Sequence, residues 1–295
     1  MGKVTLDPDG LRLHCGIRVL LVVATIAAGV AVHHVAPGAP KWLFPIFHGA
    51  TWIAGVALVT WLVRVKINKA DRRGMALPPP QVGRLALGLA LGGLVLWLAF
   101  VVQHELGWVR ILRIDSLTEA GPRIALALFP SLTVGFSEEL AFRGFVFQTL
   151  AERMPVWAAA GLSTAIFAAN HLTLGGFGPG VVATVVCLAR VFTVLRIVTG
   201  SLWLPIGLHA ARDWTQTYPT GLANVGQSGH DPALVKVSQS GPSFWVGQAP
   251  AIEGGVLYAI IAIGALAAAL AYNVQRGHAP GWTRRLNEYG DTLGG

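Results

Sequence analysis

Apolar runs of about twenty residues recur along this chain, and that recurrence constrains the fold more than any other feature. A bilayer core about 30 Å thick is crossed by roughly 20 apolar helical residues. A spanning segment must also satisfy its own backbone groups, which an α-helix does. Qualifying runs lie at about 17–36, 43–63, 85–103, 124–150, 156–172, 179–199, 202–217 and 253–274. They predict an all-α, polytopic transmembrane helical bundle of about eight spans, forming a single membrane domain over residues 1–295. Composition agrees: 54% of residues are hydrophobic and 12% charged, against about 25% charged in a typical soluble domain. The first run extends from Ile17 past Val35, longer than the core of a cleaved signal, so no signal peptide is expected.

A net charge of +8 would suit a nucleic-acid binder. Here, however, the basic residues cluster at the ends of apolar runs, which is a topology signal, and no nucleic-acid partner is expected. The 64–84 loop carries Arg64, Lys66, Lys69, Arg72, Arg73 and Arg84, whereas the polar 218–252 loop has Lys236 as its only basic residue. Positive charge collects on the cytoplasmic side, so both termini are expected in the cytoplasm, as an even number of spans requires. Cys15 and Cys187 have no metal-ligand or redox spacing and are read as structural, without a disulfide. Gly226-Gln227-Ser228-Gly229 matches the GxSG of a serine-protease type but falls in a polar loop, and is read as a chance match.

Ionisable residues inside spans cost roughly 2.5–3.5 kcal/mol or more at a helix centre, so their default reading is functional. Six stand out: Glu138, Glu139 and Arg143 in the fourth run, Arg190 in the sixth, and Arg212 and Asp213 in the seventh. Three acids and three bases suggest mutual neutralisation in one polar interior, with Arg190 and Arg212 as partners of the acids. His171 and His209 join them from runs five and seven. Glu139 and Arg143 are four apart and share a helix face, a natural ion pair. Glu138 is turned about 100° away and is freer to act on something else. His209 and Asp213 are also four apart. Pro205 removes a backbone donor and should bend the entry to the seventh span.

These residues form a recognisable pattern. SEELAFRG (137–144) carries EExxxR as Glu138, Glu139 and Arg143; FAANH (167–171) carries FxxxH as Phe167 and His171; HAARD (209–213) fills a motif usually written HxxxN. Over about residues 120–217 the chain resembles the prenyl-protein (CAAX) endopeptidase and bacteriocin-processing family of intramembrane proteases, known as CPBP or Abi. The resemblance implies a helical bundle that hydrolyses peptide bonds within the membrane. It implies Glu138 as the residue that activates water, with His171 helping to hold that water. His209 and the residue at 213 would stabilise the oxyanion. Its expected partners are the bilayer and membrane-anchored or exported peptides, in a bacterial inner membrane, with the cavity biased to the extracytoplasmic half.

The chain departs from that pattern at one position, where Asp213 stands in place of asparagine. An ionised carboxylate only accepts hydrogen bonds and would repel an oxyanion. Asp213 is therefore expected either to be protonated or, the favoured reading, to orient His209 and keep it charged, as a buried acid orients a catalytic imidazole. Glu138, His171 and His209 also have the chemistry of zinc ligands. His104-Glu105 does not extend to HExxH, and a metal-free glutamate mechanism is favoured, with zinc as the open alternative. Two other classes compete: a non-catalytic immunity or scaffold protein of the same fold, and a transporter. A transporter would be expected to have repeated halves with matched broken helices, and neither is found in this sequence.

Overall fold

A computed structural model describes residues 16–21, 23–24, 54–63, 75–172, 179–222, 233–247 and 255–275. Most of runs one and two, most of the 64–84 loop and the GxSG match lie outside the described residues. Helical residues stand at 16–21, 23–24 and 54–63. Thereafter come α1 (Val82–Glu105), β1 (Val109–Ile114), α2 (Leu117–Leu126), α3 (Leu128–Glu138), a π-helical stretch (Glu139–Val146) and α4 (Phe147–Ala151). The chain continues through α5 (Val156–Leu172), α6 (Pro179–Thr199), α7 (Trp203–Thr217), β2 (Val235–Gln239), the short α8 (Ser243–Val246) and α9 (Val256–Gln275).

Among the described residues, three helical stretches are able by length and composition to cross a membrane: Val82–Glu105, Leu117–Ala151 and Pro179–Thr199, with Val256–Ala268 a shorter apolar helix. These make the chain a membrane protein. The expected eight is therefore only partly matched. At 17 and 15 residues, α5 and α7 fall short of the roughly 20 that a full crossing takes.

The two helices that matter most for the site, α1 and α7, lie against each other backbone to backbone. A Cβ on Gly88 would strike the Leu204 carbonyl, one on Gly92 the Leu208 carbonyl, and one on Gly207 the Leu85 carbonyl. Only glycine allows that approach, which is the small-residue packing that helices use in lipid. Early residues of α1 face early residues of α7, so the two run in the same direction, as two odd-numbered spans do. Their entry ends are tied by Arg84 Nη1 donating to the Thr199 carbonyl at 3.0 Å and by Ser201 Oγ donating to Gln81 Oε1 at 2.8 Å. In contrast, α3 runs antiparallel to α7. Gly135 sits against Ile206 and Ala210, and Trp214 Nε1 donates to the Ile124 carbonyl at 2.7 Å.

The all-α expectation needs one correction. Val109–Ile114 and Val235–Gln239 pair as a two-stranded antiparallel sheet, in register from Val109↔Gln239 to Ile114↔Val235, with an irregularity between Ile111 and Arg113. Both segments are rich in β-branched residues, and their backbone groups lie outside any helix and need partners. The Leu234 amide donates to the Tyr218 carbonyl at 2.8 Å, which docks the sheet at the C-terminal end of α7. Gly221 makes the docking possible: its φ is +69° and the Val235 carbonyl occupies the place of a side chain.

Candidate active site

The site is built where the long helical stretch loosens. From Glu139 to Val146 the backbone adopts π-helical bonding, and the Phe147 amide donates to the Phe142 carbonyl five residues back. Such stretches occur mostly at functional sites. The surroundings are dry: Ala141, Phe142, Phe145, Val146 and Phe147 are fully buried. Ser163 of α5 donates to the same Phe142 carbonyl at 3.1 Å, pinning α5 to this stretch.

Two carboxylates enter that environment with different company. Glu139 is fully buried, and its Oε1 accepts from Arg143 Nη1 at 3.0 Å and from His209 Nδ1 at 2.9 Å. Glu138 has no such bonds. Its Oε2 is buried without a hydrogen-bond partner and lies 3.8 Å from His209 Nε2. That nitrogen also faces Asp213 Oδ2 at 3.4 Å. Both distances exceed a good N–H···O bond. The short bond to the imidazole is thus made by Glu139 at Nδ1, while Asp213, expected from the sequence to orient the ring, faces its other nitrogen at the longer distance. The other oxygen of Asp213, Oδ1, accepts from Arg212 Nη1.

Aromatic rings surround these charges. The Arg143 guanidinium lies 4.2 Å from the centre of the Phe167 ring, which meets Phe142 edge-on at 4.9 Å and His171 at 4.3 Å. On the other side Phe192 stacks on His209 at 5.1 Å, nearly parallel. His171 Nδ1 is 3.0 Å from the Phe167 carbonyl of its own helix. A carbonyl only accepts, so Nδ1 carries the proton and Nε2 presents a lone pair.

The structure therefore brings Glu138, Glu139, Arg143, His209 and Asp213 into direct contact, with Phe167 between them and His171. Arg190 is not among them. It is exposed on α6, with its guanidinium over Gly161 of α5, so it is not the partner of the site acids expected from the sequence. Phe192 and Gln216 are contributors that the sequence reading missed. A phenylalanine in an apolar run carries no signal, but an amide buried in a span does.

A zinc ion would need Glu138, His171 and His209 as ligands. His171 has a nitrogen lone pair to offer, but both nitrogens of His209 face carboxylates and present N–H donors. Among the described residues no three His, Cys, Asp or Glu side chains are grouped to hold a metal ion. In this arrangement the residues do not fit zinc.

Residues 120–215 match the family model described as Type II CAAX prenyl endopeptidase Rce1-like. Over this segment the chain is similar to the CAAX-protease (CPBP) family. The matched residues run from α2 through all but the last two residues of α7. They include every charged and imidazole group of the site named above, which supports a protease of the CAAX type. No curated protein and no solved structure gives a match.

Proposed function

We propose that this protein is an intramembrane endopeptidase that hydrolyses membrane-anchored or exported peptides, with Glu138 activating the water. One observation carries the reading. The Glu138 carboxylate is withdrawn into the bundle with Oε2 lacking a hydrogen-bond partner, as Oε2 of Glu139 does, but unlike Glu139 it is not held by Arg143 or by a short bond to His209, and it stands beside an imidazole whose other nitrogen is already held. A buried polar atom left unsatisfied calls for an explanation such as a water or a reacting group.

In the proposed reaction a water between Glu138 and the substrate loses a proton to Glu138 as its oxygen bonds to the peptide carbonyl carbon. The carbonyl oxygen becomes an oxyanion, and His209 Nε2, which in the resting site faces Asp213 Oδ2 at 3.4 Å and Glu138 Oε2 at 3.8 Å, donates to it. A preorganised donor of this kind in a dry site is worth about 3–4 kcal/mol. The C–N bond then breaks, and the proton held by Glu138 passes to the departing amine nitrogen. Glu139 keeps His209 in place through Nδ1 and is itself held by Arg143. His171, through its Nε2 lone pair, orients the water. Asp213 faces the same imidazole and sets its local charge. No step runs through a metal.

The setting proposed is a bacterial inner membrane with both termini cytoplasmic, which puts the C-terminal ends of α1 and α7 and their sheet on the outer side. The test is to co-express candidate membrane peptides with the wild type, Glu138→Gln and His209→Ala. Processing by the wild type and by neither variant is expected. Equal processing by both variants would end the protease reading, and biological protection that survives Glu138→Ala would favour a non-catalytic immunity or scaffold protein.

A further inference from the structure

Three buried carboxylates, Glu138, Glu139 and Asp213, converge on His209. Arg143 answers Glu139. The third acid has its own cation, supplied by the preceding residue, and that cation is braced. Arg212 Nη1 donates to Asp213 Oδ1, Arg212 Nη2 donates to Gln216 Oε1 at 3.4 Å, and the guanidinium centre lies 5.7 Å from the ring of Tyr258 on α9. Gln216 and Tyr258 are fully buried, and Arg212 is nearly so. Both braces lie beyond residues 120–215, so they belong to parts of this chain outside the family match.

Helix geometry shows what the brace does. Side chains at successive positions diverge by about 100°, so Arg212 does not point at Asp213 by default. Gln216, one turn further on, holds the near side of the guanidinium, and Tyr258 backs its face, in the way aromatic rings accept arginine. With Oδ1 engaged by Arg212, only Oδ2 of Asp213 faces His209. An asparagine at 213 would carry no charge for Arg212 to neutralise.

We infer that Arg212 is a positioning residue coupled to Asp213: braced by Gln216 and Tyr258, it neutralises that acid and fixes which oxygen meets His209. The effect on turnover rests on the proposed protease activity; the pairing itself does not.

A double-substitution cycle tests the inference on the full-length protein in detergent, with peptide cleavage and thermal melting as readouts. Arg212→Met should lower kcat about tenfold or more with little change in KM, and should lower Tm, because it strands a buried acid. Asp213→Asn placed in that background should restore both quantities to the level of Asp213→Asn alone, the mark of a coupled pair. Arg212→Lys, which keeps the charge without the planar fork, should fall between wild type and Arg212→Met. If Arg212→Met does not fold, recovery of a folded double variant makes the same case.

A double variant as slow and as unstable as Arg212→Met would overturn the inference. So would recovery of Tm without recovery of kcat, which would leave Arg212 a purely structural cation. If the wild type cleaves nothing, the protease reading fails, and the melting cycle still decides the pairing by itself.

Discussion

Nδ1 of His209 stands 2.9 Å from Oε1 of Glu139, and that same oxygen accepts from Arg143 at 3.0 Å. Each of the two glutamates keeps its Oε2 without a hydrogen-bond partner, but Glu139 holds the imidazole through its Oε1, whereas Glu138, its neighbour in sequence, makes no such bond. Adjacent glutamates of identical chemistry are given different hydrogen-bond partners by their surroundings.

That separation makes the two glutamates distinguishable by substitution. Glu138→Gln should reduce turnover by about 10²–10⁴-fold, the usual worth of a general base, while leaving Tm unchanged or raised, since it removes a buried charge that no hydrogen bond to Arg143 or His209 holds. Glu139→Gln should lower both, because Arg143 loses its partner. Cleavage assays and melting curves on the purified variants compare them; the same pattern in both would refute the division of labour.

Arg143 should behave as a structural cation. Arg143→Met leaves Glu139 buried without its cation, and breaking such a pair costs about 3–5 kcal/mol. Arg143→Lys should recover only part of this, since a lysine does not reproduce the planar contact with Phe167. Equilibrium unfolding in mixed micelles measures both, and a lysine variant as stable as wild type would count against the role.

Packing of α1 on α7 should matter to the site from outside it. Gly92→Ala would drive a methyl group into the Leu208 backbone, next to His209, and overpacking costs about 1–3 kcal/mol or more. Gly83→Ala is the control in the same helix: nothing lies within 4 Å of its Cβ position, so stability should hold or rise with the better helix propensity of alanine. Melting temperatures of the pair check this, and equal losses would show that the close approach is not what counts.

Because the residues do not fit zinc, a strong chelator such as phenanthroline should leave cleavage intact, whereas His171→Ala should lower turnover. Inhibition by the chelator, reversed by added zinc, would install the metal mechanism instead.

The groups proposed to do the chemistry were largely legible in the residue order, because a charge in an apolar run is costly and rarely accidental. The i,i+4 spacing of Glu139 and Arg143 anticipated their bond, and the twist between successive helical residues anticipated that Glu138 would be the freer acid. Arg190 obeyed the same cost argument and yet lies on an exposed face of α6 beside Gly161. A cost argument says that a charge needs a partner or a reason, but it does not say which way a helix is turned. The sheet between Val109–Ile114 and Val235–Gln239 was illegible for a related reason. Its strands lie more than a hundred residues apart, and only their meeting at the end of α7 supplies partners for their backbone groups.

The sequence by itself determined the membrane class, the family motifs and the residues able to act, since each depends on composition or on local spacing along one helix. Which acid grips His209, that Arg212 answers Asp213 with help from α9, and that glycines let α7 press against α1 were decided only in three dimensions. The reason is physical: hydrogen-bond partners and packing contacts depend on how helices are rotated and paired, and that choice is made by all of them together.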